Sequence, residues 1–307
     1  MMKRVIVMTI ICCFLSACSF YRVDSFKVSS SEKQVNTAEV EEKQIETDTT
    51  VKANEEEPFH GTDTMHEDEN HLEQELVLAD EAVADLRITM LGDSLTEGIG
   101  DQTGNGGYLY FLKSKLKEEQ SIDQIHFETF GKKGLTSAGL KKKMKEEEII
   151  ESVEDADIVI ITIGGNDVMG VVKKNFLNLK VDDFYKAIDK YEANIRNVIE
   201  KIRKTNQEAE IYLVGIYNPF QLLLSDIQEF DMLMDIWNER SGQFTAEYER
   251  VHFVEIGGIF EDYNENLIFE VDYFHPNTRG YERMGHEIYM AIKENSIARI
   301  QHIETTD

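Results

Sequence analysis

The sequence predicts a three-layer α/β domain on a five-stranded parallel sheet, and three observations carry that expectation. From Arg87 onward, segments with strand character alternate with segments of helical periodicity. Asp157-Ile-Val-Ile-Ile-Thr-Ile163 is an unbroken apolar run, as suits a strand covered on both faces. Four short polar blocks each follow a strand segment, which gathers them at the edge where open α/β sheets bind ligands.

Taken in order, Arg87–Leu91 reads as a buried first strand. Gly107–Lys117 follows as a helix with Tyr108, Leu109, Phe111, Leu112 and Leu116 as its apolar positions. His126–Phe130 is a second strand, and Leu135–Ile150 a Lys- and Glu-rich helix. Asp157–Ile163 is the third strand. Phe184–Lys204 is a long amphipathic helix with Ile188, Tyr191, Ile195, Val198 and Ile202 on one stripe. Ile211–Ile216 is the fourth strand, Ile227–Tyr248 a helix, Val251–Ile256 the fifth strand, and Asn277–Ile297 the closing helix. Right-handed crossovers then place helices on both faces of the sheet. No internal repeat and no second folded domain is expected.

The region before Arg87 has another character. Lys3 and Arg4 precede an apolar stretch, Val5–Leu15, of about eleven residues, too short to span a bilayer and suited to a secretory signal. The stretch ends Leu15-Ser16-Ala17-Cys18, which resembles the bacterial lipobox, so residues 1–17 are expected to be a lipoprotein signal peptide and Cys18 the lipidated residue. The three cysteines are Cys12, Cys13 and Cys18, so a processed chain keeps one and has neither a disulfide nor a Cys-based metal site.

Ser19–Leu86 holds 19 acidic residues against 5 basic. Low hydrophobicity with high net charge predicts that residues 18–86 are a disordered, self-repelling linker, with Leu72–Leu86 as a short helix leading into the 87–307 domain. His60, His66 and His71 lie among its acids without periodic spacing, so no metal site is expected there. Residues 87–307 carry −15 of the total charge of −27, which argues against nucleic acid as a partner.

The four blocks carry the chemistry. They are Gly92-Asp93-Ser94-Leu95, Gly134 in Gly-Leu-Thr-Ser, Gly164-Gly165-Asn166-Asp167, and Asp272-Tyr273-Phe274-His275-Pro276. Together they offer a serine nucleophile, backbone and amide donors for an oxyanion, and an acid–histidine pair, the parts needed for acyl transfer through a covalent serine intermediate. Asp-x-x-His alone is a weak signal, because Asp63/His66, Asp68/His71 and Asp123/His126 share the spacing. The first two lie in the linker and the third ahead of the second strand, at the wrong edge. Only Asp272/His275 follows the last strand and leads into a helix.

The set resembles the GDSL, or SGNH, hydrolase family over about residues 87–297, in particular its lipoprotein branch from Gram-positive bacteria. The resemblance implies a flavodoxin-like SGNH hydrolase fold with Ser94 as nucleophile, His275 as general base and Asp272 as the group orienting it. The oxyanion hole would comprise the backbone N–H of Ser94, the backbone N–H of Gly134 and the side-chain amide of Asn166. No cofactor and no metal is implied. No Gly-x-Ser-x-Gly elbow occurs, which counts against the α/β-hydrolase fold.

Asp93 and Asp167 are expected to brace their turns, and His126, His252, His286 and His302 to be structural or solvated. The stretches Val168–Val172, Phe176–Leu179 and Phe220–Leu224 either line an acyl pocket or pack on the core as loop residues. The expectation is thus an esterase or lipase acting on acyl esters (of lipids or acylated glycans), anchored through Cys18 at the outer face of the cell membrane. Two readings stand beside it: an O-acetyl deacetylase of wall glycans, and a catalytically silent surface binding lipoprotein.

Overall fold

Five parallel strands form the frame, in the order β2-β1-β3-β4-β5. They are β1 (Ala84–Gly92), β2 (Ile122–Gly131), β3 (Ile158–Thr162), β4 (Glu210–Val214) and β5 (Val251–Val254). The computed structural model describes residues 84–175, 178–220, 228–261 and 265–297. The signal region, most of the acidic linker with its histidines, and His302 lie outside the described residues. Among the described residues no helix is long and apolar enough to cross a membrane.

Alternation along the central strands builds two cores. Leu91, Val159, Ile161, Ile211 and Leu213 face one side, while Ile88, Met90, Ile158, Ile160, Tyr212 and Val214 face the other. The first side is covered by α2 (Ser137–Lys143), α3 (Glu147–Glu154), α4 (Gly165–Asn175), α5 (Val181–Thr205) and α6 (Gln228–Thr245). The second is covered by α1 (Tyr108–Leu116) and α7 (Thr278–Ile292), which pack on each other. With every residue of β3 and β4 buried, the apolar run that marks the third strand has its cause.

Connectivity fixes where a site can form. The chain moves from β1 outward to β2, then reverses through β3, β4 and β5. That reversal leaves a crevice between the carboxyl ends of β1 and β3, the topological switch point of a doubly wound sheet.

Several boundaries differ from the sequence expectation. β1 starts at Ala84 because Leu86 is already buried, so residues 84–86 are strand and not the end of a lead-in helix. β2 starts at Ile122, which takes Asp123 into the strand. The expected helix 135–150 is two, α2 and α3, interrupted at Met144–Glu146. The buried residues explain the break: Leu140 and Met144 are four apart and Ile149 and Val153 are four apart, but Met144 and Ile149 are five apart. One straight helix would rotate the second pair off the core. A further correction is α4, which begins at Gly165 where a loop was expected. Its Val168, Val171 and Val172 recur at helical spacing and are buried.

Candidate active site

β1 ends in a turn whose tightness depends on Gly92. A Cβ at Gly92 would lie 2.4 Å from both Thr96 Oγ1 and Thr162 Oγ1. Those two hydroxyls are hydrogen-bonded to each other at 2.7 Å, tying the nucleophile turn to the end of β3. Asp93 braces the turn, its Oδ1 accepting the Leu95 N–H at 3.0 Å. Ser94 follows, buried at the floor of a cleft.

His275 and Asp272 come from the loop before α7. Asp272 Oδ1 accepts the backbone N–H of Phe274 and of His275, both at 3.0 Å. This local turn leaves Oδ2 on His275 Nδ1 at 2.6 Å. With Nδ1–H donating to Asp272, Nε2 is the acceptor for the Ser94 hydroxyl, at 2.9 Å. Burial alone would raise the Asp272 carboxyl. The hydrogen bond from His275, then its charge and the two backbone N–H groups, outweigh that and hold it below the usual carboxylate value. The loop is closed by an antiparallel bridge, Ile268 to Pro276, and carries Tyr273 at φ 51°, a left-handed conformation uncommon for a residue with a Cβ. Asn277 caps α7 by accepting the Gly280 N–H at 3.0 Å.

Of the expected oxyanion donors, Asn166 lines the cleft with Ser94, and Gly134 lies on a loop tied to the nucleophile turn. Among the described residues no acceptor takes the backbone N–H of Ser94 or of Gly134, so both remain unspent. Gly134 is exposed with φ 78°, and a Cβ there would meet nothing within 4 Å, so backbone conformation, not crowding by the protein, calls for glycine. Its loop is tied to the nucleophile turn by Lys132 N–H to Gly92 O at 3.0 Å and Lys133 N–H to Glu97 Oε2 at 2.7 Å. Asn166 sits in the first turn of α4. Its Nδ2 donates to Leu135 O at 3.0 Å and, weakly, to Asp93 Oδ2 at 3.4 Å. The weaker contact is the hydrogen most easily released to a third acceptor.

Two carboxyl groups support this arrangement. Burial, with the like charge of Asp167 adding to it, pushes the Asp93 carboxyl up to about 7 against the Leu95 and Asn166 hydrogen bonds that pull it down. Asp167 accepts the Ser137 N–H at 2.9 Å and its hydroxyl at 2.7 Å, binding α4 to the start of α2.

The cleft is largely apolar, with Ile163, Val168, Met169, Ile216, Pro219 and Met234 among its walls. Of the stretches weighed as acyl-pocket candidates, Val168 and Met169 reach the cleft, whereas Val171, Val172 and Phe220 belong to the core. Residues 176–177 and 221–224 lie outside the described residues. The segment 217–220, which the sequence places at the end of the fourth strand as a wall of the site, supplies Tyr217 and Pro219 to the cleft. Tyr217, just past β4, donates its hydroxyl to Phe274 O at 2.7 Å and stacks on Phe260, holding the Asp272–His275 loop against the opposite wall. Its only sequence signal was its place after a strand. His126 is exposed on β2, and His252 pairs with Glu210 at 2.8 Å away from the cleft. Among the described residues no group of three or more His, Cys, Asp or Glu could hold a metal ion.

A serine hydroxyl on an imidazole fixed by a carboxylate, beside unspent N–H groups at the switch point, defines a serine hydrolase of the doubly wound class. A family model, the GDSL-like lipase/acylhydrolase family, matches residues 90–283. The chain belongs to that family and is a GDSL-type serine hydrolase of the esterase and lipase kind. It is 33% identical to YpmR of Bacillus subtilis over 213 residues, covering 69% of this chain and 83% of that one. It is 27% identical to the spore germination lipase LipC of Bacillus licheniformis, covering 67% and 96%. Among solved structures, the lipase Lip_vut3 from a goat rumen metagenome aligns with TM-score 0.61 at 26% identity, over 67% of this chain and 97% of that one. A mutant of Axe2, an acetyl-xylooligosaccharide esterase from Geobacillus, shares the fold with TM-score 0.52 at 21% identity, over 69% and 96%.

Proposed function

We propose that the chain is a membrane-anchored extracytoplasmic esterase that cleaves acyl esters through an acyl-enzyme on Ser94. The observation that carries this is the unbroken relay from Ser94 Oγ, which lines an apolar cleft, through His275 to Asp272. Ser94 Oγ attacks the ester carbonyl carbon while His275 Nε2 takes its proton. Negative charge on the carbonyl oxygen is met by the N–H groups of Ser94 and Gly134 and by the Asn166 amide. Collapse expels the alcohol, protonated by His275, and leaves the acyl group on Ser94. Water, deprotonated by the same imidazole, then releases the carboxylic acid.

Apolar walls favour an acyl chain over a sugar ring, which supports esters of lipids or small acyl groups. Removal of O-acetyl groups from glycans is the second reading; the likeness to an acetyl-xylooligosaccharide esterase fits it by fold alone. Hydrolysis of acetyl through palmitoyl esters and of acetylated glycans separates the two. The proposal expects turnover of aliphatic acyl esters above that of acetylated glycan; the reverse order would favour the deacetylase. The anchoring part rests on Leu15-Ser16-Ala17-Cys18. Metabolic labelling with a fatty acid should mark the wild type and not Cys18→Ala, and equal labelling of both would remove the anchor.

A further inference from the structure

Where α4 ends and α5 begins, Lys173, Lys174, Lys180 and Lys186 line an open groove together with Asp182 and Asp183. The groove is thus net positive in a chain of net charge −27. Apolar side chains are interleaved with these lysines. Leu179, Val181 and Tyr185 are 37%, 42% and 41% exposed. Nine large apolar side chains are exposed among the described residues, and three of them fall within residues 179–185, so they form a cluster and not a scatter. Val181 and Tyr185 are four apart and so neighbours on the surface of α5, exposed although Phe184 and Ile188 beside them are buried.

Helix length places this cluster beside the site. α5 has 25 residues, roughly 37 Å of helix, whereas β3 and β4 have five residues each, roughly 17 Å. The carboxyl end of α5 leads into the start of β4, so its amino end overshoots the sheet edge on which Ser94 lies. The patch is also continuous with the cleft, since Met169 lines the cleft and Lys173 stands one turn further along α4.

We propose that the end of α4 and the start of α5 form a docking face for an anionic lipid bilayer, turning the mouth of the Ser94 cleft toward lipid acyl esters. Lysines alone would suit any polyanion. Exposed Leu179, Val181 and Tyr185 among them suit a surface that offers acyl chains just beneath its anionic head groups. The consequence for substrate rests on the esterase reading above, but the docking itself does not.

The test uses the full chain carrying Ser94→Ala and Cys18→Ala, so that neither turnover nor lipidation contributes. Acetylation of individual lysines is followed by mass spectrometry without vesicles, with phosphatidylcholine vesicles, and with vesicles that also contain phosphatidylglycerol. Lys173, Lys174, Lys180 and Lys186 should be protected several-fold on the anionic vesicles only, while Lys113 on α1 and Lys117 just past it react unchanged. Tyr185→Trp in the same chain should show a blue-shifted signal quenched by brominated lipid on those vesicles. Protection equal to that of Lys113 and Lys117, or equal on both kinds of vesicle, overturns the proposal. Protection by a soluble polyanion without the Tyr185→Trp shift on vesicles also overturns it, in favour of a polymer site. With Ser94 intact, the Lys173→Gln, Lys174→Gln, Lys180→Gln, Lys186→Gln chain should react with a soluble fluorophosphonate at the wild-type rate. A docking failure is thereby distinguished from a failure of the esterase reading.

Discussion

Asn166 is the residue whose role geometry sharpens most. Its amide is engaged by Leu135 O and, loosely, by Asp93, so serving an oxyanion means exchanging the 3.4 Å contact for a shorter one in the transition state. Asn166→Ala should therefore lower kcat by roughly 10²–10³ with little change in KM, as steady-state kinetics on a soluble ester would read. A raised KM at unchanged kcat would make Asn166 a substrate-binding residue instead. At this scale the sequence was informative where chemistry restricts the residue type. Ser94, Asp272 and His275 were legible from four ordered blocks, and the structure brings them within hydrogen-bonding reach. Tyr217 was legible as a wall of the site from its place after the fourth strand, but its hydroxyl contact to Phe274 was not, because that contact reaches across the fold.

The nucleophile turn is the element that tolerates least change. β1, the turn and the end of β3 meet at Gly92, where hydroxyl and carbonyl oxygens leave room only for hydrogen. Gly92→Ala should cost about 1–3 kcal/mol, the range for overpacking a filled site, and displace Ser94 from His275. Thermal unfolding together with single-turnover acylation measures both. An unchanged melting point with unchanged acylation would show that the turn relaxes. The five strands and the long helix α5 were readable because their apolar patterns are regular, whereas the strand order came from the structure. α4 was hidden by Gly165 and Gly170, which depress helix propensity, although Val168, Val171 and Val172 held the spacing. The split between α2 and α3 was hidden because a charge-rich stretch masks a five-residue step in the buried positions.

For the molecule as a whole, Asp272 and Asp93, two of the perturbed carboxyl groups, act on stability in opposite directions. Asp272, held low, contributes stability above its unfolded value and loses it as pH falls through the folded one. Asp93, raised from 3.8 to about 7, contributes stability that is complete below 3.8 and lost as pH rises toward 7. Denaturant unfolding across that window should show Asp93→Asn losing less stability than the wild type as pH rises. Parallel curves would place the Asp93 carboxyl near its ordinary value.

The central claim is covalent chemistry at one serine on the switch-point edge, to which all four blocks converge because each follows its own strand. Its most direct test is mass spectrometry of the intact chain after reaction with a fluorophosphonate. The account predicts one adduct, on Ser94, absent in Ser94→Ala and formed far more slowly in His275→Ala. An adduct on any other serine, or labelling of Ser94 that does not depend on His275, would contradict it.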